Sequence, residues 1–328
     1  MQNLKMNSKI KVLITTPLHH IPDQKKKLSK FYNCTFLNHT NYFKINKLLK
    51  SHTGWICSPS PTKLISKINY PNVKYIKFIS TPSTGTSHIS NEIKDDKKIK
   101  ILHLSLSKKI NLIKASSEYT FSLGLSLIKR ISKAEVFVKK GYWRNIEDKL
   151  RSNEVFNKKV GIIGFGRIGK NLLRYSKAFG MKPIVYDPNI KIKNYNSLRN
   201  LQKIKKEAEI IFVCINLVKK NIKFIDKNFF YNLKQKPFFI NTSRGEVIDE
   251  KALIYALKNN LVSSAALDVI TNEQKLNLHK NFLAKYSLKN PEKLLITPHI
   301  AGLTFESESR AIDITIELIN KNIKKLYG

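Results

Sequence analysis

The stretch Val160–Lys170, which reads VGIIGFGRIGK, constrains the fold of this chain more than any other. It begins with a short apolar run typical of a buried strand, continues as G-x-G-x-x-G through Gly164, Gly166 and Gly169, and then shows apolar residues at helical spacing. In such a turn the first glycine allows the tight bend, the second lets a pyrophosphate approach the backbone, and the third lets helix and strand pack closely. The stretch therefore predicts a dinucleotide-binding fold.

Two neighbouring features refine the predicted nucleotide site. The helix that begins at Arg167 and Ile168 offers backbone N–H groups and a partial positive charge to the phosphates. The next apolar run, Met181–Asp187, ends at Asp187, whose carboxylate can bond both ribose hydroxyls and would repel a 2′-phosphate. This pattern favours NAD over NADP, and the alternative that stays open is a glycine turn without a ligand.

Length and composition limit the number of domains, the possible membrane spans and the cellular setting that can be expected. A chain of 328 residues suits two domains, and no apolar run approaches the length of a membrane span. We expect no signal peptide, because the apolar run Val12–Ile14 is too short for one. The scattered Cys34, Cys57 and Cys214 predict a reduced, cytoplasmic setting and no metal cluster.

The chain is strongly basic, with 60 Lys and Arg against 23 Asp and Glu and a net charge of +37. Such an excess would attract nucleic acid, but the lysines are spread over the whole chain and form no nucleic-acid-binding module pattern. Nucleic-acid binding is therefore kept only as a rival hypothesis. The expected effect of the charge is to steer a small anionic substrate inward, which salt would weaken.

Apolar runs of strand length alternate with helical patterns along the whole chain. The predicted strands, besides the one before the glycine turn, are 10–15, 35–37, 53–57, 75–80, 99–102, 181–187, 209–214, 237–241, 264–268 and 294–297. The predicted helices are 23–31, 45–50, 61–68, 88–95, 115–139, 249–260 and 304–326. The alternation predicts an α/β fold of doubly wound parallel sheets, and the helix 115–139, apolar on most sides, is expected to be buried between domains.

Three side chains after strands of the second half could carry chemistry. Arg244 follows a strand in INTSRGEVID, and its guanidinium can pair with a carboxylate and polarise a carbonyl. His299, in ITPHIAG, can exchange a proton near neutral pH. Glu273 lies in LDVITNEQ, five residues after Asp268. A carboxylate bonded to His299 would fix the tautomer of the imidazole and favour its protonated form. Since open α/β sheets bind ligands at the carboxyl ends of their strands, we expect the three to converge beside the glycine turn.

Taken together, the motifs ISTPSTGTSHI, SEYTFSLGLSLIKRI, GYWR, KKVGIIGFGRIGK, INTSRGEVIDEKALIYAL, AALDV and ITPHIAG resemble the D-isomer-specific 2-hydroxyacid dehydrogenases, the group that includes D-3-phosphoglycerate dehydrogenase. The resemblance implies a Rossmann-type NAD-binding domain, residues 104–299, inserted in a flavodoxin-like substrate-binding domain, residues 1–103 and 300–328. It also implies a homodimer joined through the nucleotide domains and the long helix.

The resemblance further implies roles for individual residues. Arg244, Glu273 and His299 match the catalytic trio, and Ser83, Thr84 and Gly85 match the loop that holds the substrate carboxylate, with Arg244 and His299 also touching the substrate. Asp268 matches the position that contacts the nicotinamide carboxamide. The implied cofactor contacts, in addition to the glycine turn and Asp187, are Cys214, Ile215, Asn216, Thr242, Ser243, Asp268, His299 and Gly302.

The sequence thus predicts an NAD-dependent oxidoreductase that transfers a hydride between nicotinamide and C2 of a small D-2-hydroxy or 2-oxo acid, which could be phosphorylated as 3-phosphoglycerate is. The alternative hypothesis is a catalytically idle NAD(H)-sensing regulator on the same scaffold. The intact Arg244, Glu273 and His299 favour the enzyme.

Overall fold

The computed structural model describes residues 10–38, 40–61, 63–189, 200–273 and 277–327. The chain divides into two compact units, one made of residues 1–113 and 303–328 and the other of residues 114–302. The predicted division lay at 103/104 and 299/300. The difference arises because Leu104 and Ile113 pack with Ala311, Ile314 and Leu318 of the terminal helix, which ties residues 104–113 to the first unit.

The first unit is built on a parallel sheet of five strands in the order β2-β1-β3-β4-β5. Its strands are β1 (Lys11–Ile14), β2 (Asn33–Phe36), β3 (Gly54–Ile56), β4 (Phe78–Thr81) and β5 (Lys100–His103). This order, 2-1-3-4-5, is the flavodoxin-like arrangement that was predicted. Strand β4 begins later than predicted because residues Pro71–Tyr75 form a 3₁₀ helix.

Helices cover both faces of this sheet. They are α1 (Pro22–Phe31), α2 (Tyr42–Leu49), α3 (Asn91–Lys94) and α12 (Phe305–Tyr327), with 3₁₀ helices at Leu104–Leu106 and Lys108–Leu112. The stripe Ile312, Ile316, Ile319 and Ile323 of α12 is buried with residues of β1, β3, β4 and β5, as its helical spacing requires. The opposite face packs a second core around Trp55 and Ile79.

The predicted helix 61–68 is wrong over the part of it that the structure describes. Ile65 instead forms an isolated parallel bridge with Ile89, in which Ile65 N–H donates to His88 O at 2.9 Å and Ser90 N–H donates to Ile65 O at 2.9 Å. His88 lies in a turn, Ile89 forms the bridge and Ser90 is extended, so the predicted helix 88–95 shrinks to Asn91–Lys94.

The second unit contains a parallel sheet of six strands in the order β11-β10-β9-β8-β6-β7. Its strands are β6 (Lys159–Ile163), β7 (Lys182–Tyr186), β8 (Ile210–Val213), β9 (Phe238–Asn241), β10 (Ser264–Leu267) and β11 (Leu294–Ile296). Its helices are α4 (Ala115–Lys129), α5 (Ile131–Lys139), α6 (Glu147–Leu150), α7 (Arg167–Ala178), α8 (Asn200–Glu207), α9 (Lys227–Tyr231), α10 (Glu250–Lys258) and α11 (Phe282–Lys289). Strand β6 pairs with both β7 and β8, so the strand order reverses there and leaves the crevice in which such sheets bind nucleotides.

The predicted single helix 115–139 is wrong in one respect, because it divides at Arg130. Arg130 adopts a left-handed conformation with φ 57° between α4 and α5. Helix α4 buries Phe121, Leu127 and Ile128 in a core that it shares with β6, β8 and β9 of its own unit. Helix α5 buries none of its residues, so the apolar character read from the sequence continues onto an exposed helix.

No helix in the described ranges is long and apolar enough to cross a membrane.

Candidate active site

The glycine turn lies between β6 and α7. Gly164 has φ +99°, and a Cβ there would approach Cys214 O to 2.7 Å and Ile215 N to 3.0 Å. Glycine is therefore required both by the backbone conformation and by the close approach of the chain after β8. Gly169 is required by packing, because its Cβ would lie 2.1 Å from Gly164 O.

The second glycine of the turn fits a bound pyrophosphate. Gly166 caps the N-terminus of α7, and a Cβ built on it would meet no heavy atom within 4 Å. Arg167, whose guanidinium pKa is lowered by burial, and Ile168, which packs on the core, begin the helix at this open position. Space beside a helix N-terminus is what a phosphate needs, so the residues present fit a dinucleotide.

Asp187 follows β7 beside this turn and organises it. Its Oδ2 accepts a hydrogen bond from Phe165 N–H at 2.9 Å, and its Oδ1 accepts one from Asn189 N–H at 2.9 Å. A carboxylate offers about four acceptor positions, so these two bonds leave capacity for ribose hydroxyls. Contact with the ribose remains the prediction for Asp187, and the bond to Phe165 N–H gives it a structural role in holding the glycine turn.

The segment after β8 contributes mostly backbone to the site. The thiol of Cys214 has a pKa raised to about 12 by burial, so it is not an acid at neutral pH. Ile215 is partly buried against the core, and both the carbonyl and the side-chain oxygen of Asn216 accept hydrogen bonds from Asn221 Nδ2, at 2.9 and 3.3 Å.

The side chains of Thr242 and Ser243, after β9, are buried and already bonded within the protein. The hydroxyl of Thr242 pairs with that of Thr120 in α4 at 2.5 Å. Ser243 donates both its N–H, at 3.0 Å, and its hydroxyl, at 2.6 Å, to Asn241 Oδ1. These groups therefore shape the loop, and the sequence did not single out Asn241, which organises it.

Arg244 is half-buried just beyond this loop. The Asn241 side-chain amide donates to Arg244 O at 3.0 Å, and Arg244 Nη1 donates to Ser243 O at 2.6 Å. Both bonds fix the base of the side chain and the direction of the guanidinium, whose five N–H donors lie in a planar fork suited to a carboxylate.

His299 and Glu273 come together as predicted. His299 Nδ1–H donates to Glu273 Oε2 at 2.6 Å, and the two side chains are 47% and 33% exposed. Because a carboxylate can only accept, Nδ1 carries the proton, and Nε2 is the nitrogen that can exchange one with a substrate. Glu273 Oε1 also accepts from Ile270 N–H at 3.0 Å, which anchors the carboxylate to its own loop.

Asp268, at the end of β10, is only 1% exposed and holds the turn that carries His299. Its Oδ1 accepts from the Thr297 hydroxyl at 2.6 Å and from Ile300 N–H at 3.0 Å, and its Oδ2 accepts from Ala301 N–H at 2.9 Å. His299 lies within this turn in a left-handed conformation, with φ 55°. Contact with a carboxamide remains the prediction for Asp268, and the bonds described give it a structural task as well.

Gly302 ends this turn, and a Cβ on it would come no closer than 3.8 Å to Ser116 Oγ. Its open surroundings do not by themselves require glycine. Its predicted contact with the cofactor remains a prediction.

The predicted carboxylate loop, Ser83–Gly85, belongs to the other unit and follows β4. Its own bonds keep it compact: Ser83 Oγ donates to Gly85 O at 2.7 Å, and Ser83 O accepts from Leu104 N–H at 2.9 Å. Thr84 O accepts from Ser105 Oγ at 3.3 Å. The loop is thereby fastened to the residues after β5.

Within the described ranges, no cluster of three or more His, Cys, Asp or Glu side chains could hold a metal ion. The glycine turn, Arg244 and the His299–Glu273 pair each follow a strand of one parallel sheet, so these segments form the candidate active site.

Comparison with known proteins shows the family to which the chain is related. Residues 121–301 match the model of the D-isomer specific 2-hydroxyacid dehydrogenase, NAD binding domain. An aromatic 2-oxoacid reductase of Clostridium sporogenes is 32% identical over 253 residues, which cover 74% of each chain. A glyoxylate reductase of Pyrococcus furiosus is 30% identical over 221 residues, or 65% of this chain and 62% of the relative. A D-3-phosphoglycerate dehydrogenase of Methanocaldococcus jannaschii is 27% identical over 96% of this chain.

The aligned part spans 62% of the glyoxylate reductase and 58% of the phosphoglycerate dehydrogenase, less than two thirds of either relative. Among solved structures, a D-lactate dehydrogenase from Aquifex aeolicus complexed with NAD and lactic acid has a TM-score of 0.78, 26% identity and coverage of 97% of this chain and 96% of its own. A D-2-hydroxyisocaproate dehydrogenase, at 20% identity and a TM-score of 0.81 over 97% of both chains, shows the same fold. From its NAD-binding domain and these relatives, we conclude that this chain belongs to the D-isomer-specific 2-hydroxyacid dehydrogenase family.

Proposed function

We propose that this protein catalyses NAD-dependent hydride transfer between the nicotinamide ring and C2 of a small D-2-hydroxy acid or 2-oxo acid. The observation that carries the proposal is the 2.6 Å bond between His299 Nδ1 and Glu273, on loops that follow strands of the sheet bearing the glycine turn. The relatives named above are reductases and dehydrogenases, which does not support the alternative of an idle regulator.

The residues of the chain divide the work of this reaction. The bound cofactor supplies or takes up the hydride. During reduction, His299 Nε2 donates a proton to the carbonyl oxygen, and Glu273 stabilises the imidazolium from which that proton comes. Arg244 orients the substrate carboxylate through its fork and stabilises the charge that develops on the oxygen, and such a donor is typically worth about 3–4 kcal/mol. In the oxidation direction, neutral His299 accepts the proton from the hydroxyl group.

The other proposed contacts concern binding. Ser83, Thr84 and Gly85 hold the substrate carboxylate through backbone N–H groups, and the glycine turn holds the pyrophosphate. Asp187 supports NAD rather than NADP, because its negative charge would repel a 2′-phosphate. The names of the relatives support a small 2-oxo acid such as glyoxylate or an aromatic 2-oxo acid, and a phosphorylated substrate remains part of the proposal.

We also propose that the protein is a homodimer joined through the surface of α5 and the residues after it. This surface exposes Ile131, Val138, Tyr142 and Trp143, the last of which is 72% exposed. Apolar side chains concentrated on one exposed element are typical of a protein–protein interface. Cys34, Cys57 and Cys214 form no disulfide with one another, which fits the cytoplasmic setting that we propose.

The test is oxidation of NADH with a panel of 2-oxo acids, measured side by side for the wild type, His299→Ala and Arg244→Lys. We expect turnover of at least one acid by the wild type and a loss of about 10²–10⁴-fold in kcat for His299→Ala, with NADH binding retained. Arg244→Lys should also be strongly impaired although its charge is kept, because the planar fork is lost. Tight NADH binding without turnover of any acid would contradict the proposal and favour the regulator.

A further inference from the structure

The position of Glu273 depends on a loop that is held from outside the catalytic trio. This loop, Val269–Glu273, follows β10 and ends at Glu273. Its first two residues, Val269 and Ile270, are buried. We propose that Glu250, the first residue of helix α10, is a positioning residue that keeps this loop, and with it Glu273, in place against His299. The role in turnover rests on the proposed function, whereas the placement of the loop does not.

The contact between Glu250 and the loop is short and charge-assisted. Glu250 Oε1 accepts a hydrogen bond from Thr271 N–H at 2.6 Å. Burial raises the pKa of Glu250, while its interaction with Thr271 opposes this shift. Hydrogen bonds to a charged acceptor are about twice as strong as neutral ones, so this bond is a firm attachment of the loop to α10.

The same peptide lies against the loop that carries Arg244. A Cβ on Gly245 would be 2.1 Å from Ile270 C and 2.3 Å from Thr271 N, so only a glycine backbone fits. The Ile270–Thr271 peptide therefore contacts both the backbone next to Arg244 and the carboxylate of Glu250. These two contacts connect the segment that follows Arg244 to the segment that precedes Glu273.

The neighbouring peptide, Val269–Ile270, is bonded directly to the catalytic pair. Ile270 N–H donates to Glu273 Oε1 at 3.0 Å, while Glu273 Oε2 accepts from His299 Nδ1 at 2.6 Å. Between them Asn272 makes a tight turn in a left-handed conformation, with φ 60°. A shift of the peptide would accordingly be passed to the carboxylate, and a misplacement of about 1 Å can cost about 10²-fold in rate.

A simpler role would be that Glu250 only stabilises α10. An acidic residue in the first turn of a helix interacts favourably with the helix dipole, whatever its other contacts. This role predicts a loss of stability without any coupling to Glu273, so the two roles can be separated by experiment.

The experiment compares Glu250→Ala, Glu250→Gln and the matched control Glu246→Ala, alone and in combination with Glu273→Gln, in the NADH-dependent reduction of the best 2-oxo acid. We expect Glu250→Ala to lower kcat about 10- to 100-fold with the KM for NADH unchanged. Glu250→Gln should recover most of this loss because its amide oxygen still accepts from Thr271, and Glu246→Ala should behave as wild type. In the Glu273→Gln background, Glu250→Ala should add little, because the group that it positions is already gone.

Multiplicative losses in the double variant, or equal losses in Glu250→Ala and Glu246→Ala, would overturn the proposal.

A second measurement is the NMR signal of the His299 Nδ1 proton, which does not require turnover. It should be sharp in the wild type and in Glu250→Gln, and broadened or lost in Glu250→Ala. If no 2-oxo acid is turned over, the proposed function fails, and the positioning role is decided by this signal alone: an unchanged signal in Glu250→Ala refutes it. If Glu250→Ala does not fold, a signal lost in Thr271→Pro, which removes the N–H donor, supports the role, and one retained there refutes it.

Discussion

The buried carboxylate of Asp268 gives the most direct prediction about the site. Asp268→Asn keeps the shape of the side chain but replaces one acceptor oxygen by an NH₂ group. The remaining oxygen can still accept from the Thr297 hydroxyl and Ile300 N–H, which both bond Oδ1. The new NH₂ group would then face Ala301 N–H, which now donates to Oδ2 at 2.9 Å, so two donors would oppose each other.

The magnitude follows from the bond that is lost. A hydrogen bond to a charged group contributes about 1.5–3 kcal/mol, so we expect Asp268→Asn to lower the free energy of unfolding by about that amount. The variant should also lose activity. A left-handed backbone costs a non-glycine residue about 1–2 kcal/mol, and the bonds of Asp268 on both sides of His299 hold that residue at its φ of 55°. Freed at Ala301, the turn can relax and withdraw the imidazole from Glu273.

The assay is urea unfolding of the wild type, Asp268→Asn and the control Asp226→Asn, together with kcat for the best 2-oxo acid. Asp226 caps helix α9 by accepting from Phe229 N–H at 2.8 Å, and asparagine is an equally good cap, so this substitution should change little. If Asp268→Asn matched the control within about 0.5 kcal/mol, at an unchanged slope against urea, and kept its kcat, the reasoning on the His299 turn would be refuted.

Two further predictions concern other parts of the chain. Burial, with a smaller contribution from Lys94, lowers the pKa of His88 from 6.5 to about 4, so the unfolded chain binds a proton there before the folded chain does. The free energy of unfolding should consequently fall as the pH drops from about 6.5 to about 4, by about 2 kcal/mol at pH 5. In His88→Gln the free energy of unfolding should depend less on pH over this range. An unchanged pH dependence in the variant would exclude His88 as the cause. Trp143→Glu should convert the proposed dimer to a monomer in light scattering, and a wild type that is already monomeric would refute the proposed interface.

The fold was largely predictable because its signals are local. Each of the eleven predicted strands is present among the described residues, since a short apolar run bounded by polar residues is a direct signature of a buried parallel strand. Asp249 caps α10 as predicted, with its side chain accepting from Lys251 N–H and Ala252 N–H. One error lies where a distant partner overrides local preference, because Ile65 pairs with Ile89 instead of continuing a helix. Another is the break at Arg130, whose left-handed backbone divides the predicted helix 115–139.

The site was predictable only in part. A strand end shows where a polar residue lies, but it does not show which groups its side chain bonds. Thr242 and Asp268 illustrate the difference, since the hydroxyl of the first is bonded to Thr120 and the carboxylate of the second to the turn around His299. Both partners are remote in sequence, 122 residues away for Thr120 and 29 for Thr297, so no local pattern announces them. His299 and Glu273 could be paired in advance because both match the catalytic trio of the family that the sequence motifs resemble, and a carboxylate bonded to an imidazole favours its protonated form.

The residues that hold such a pair are of a different kind. Glu250 reads from the sequence as an ordinary acidic residue in a first helical turn, and Gly245 reads as a turn glycine. Their importance lies in a single backbone peptide, Ile270–Thr271, that carries no distinctive side chain. Because backbone N–H groups are common to nearly all residues, a site supported through the backbone leaves its support invisible in the sequence while its reacting side chains remain recognisable. Substitutions at the supporting positions should therefore change turnover more than the chemistry of the replaced side chains would suggest.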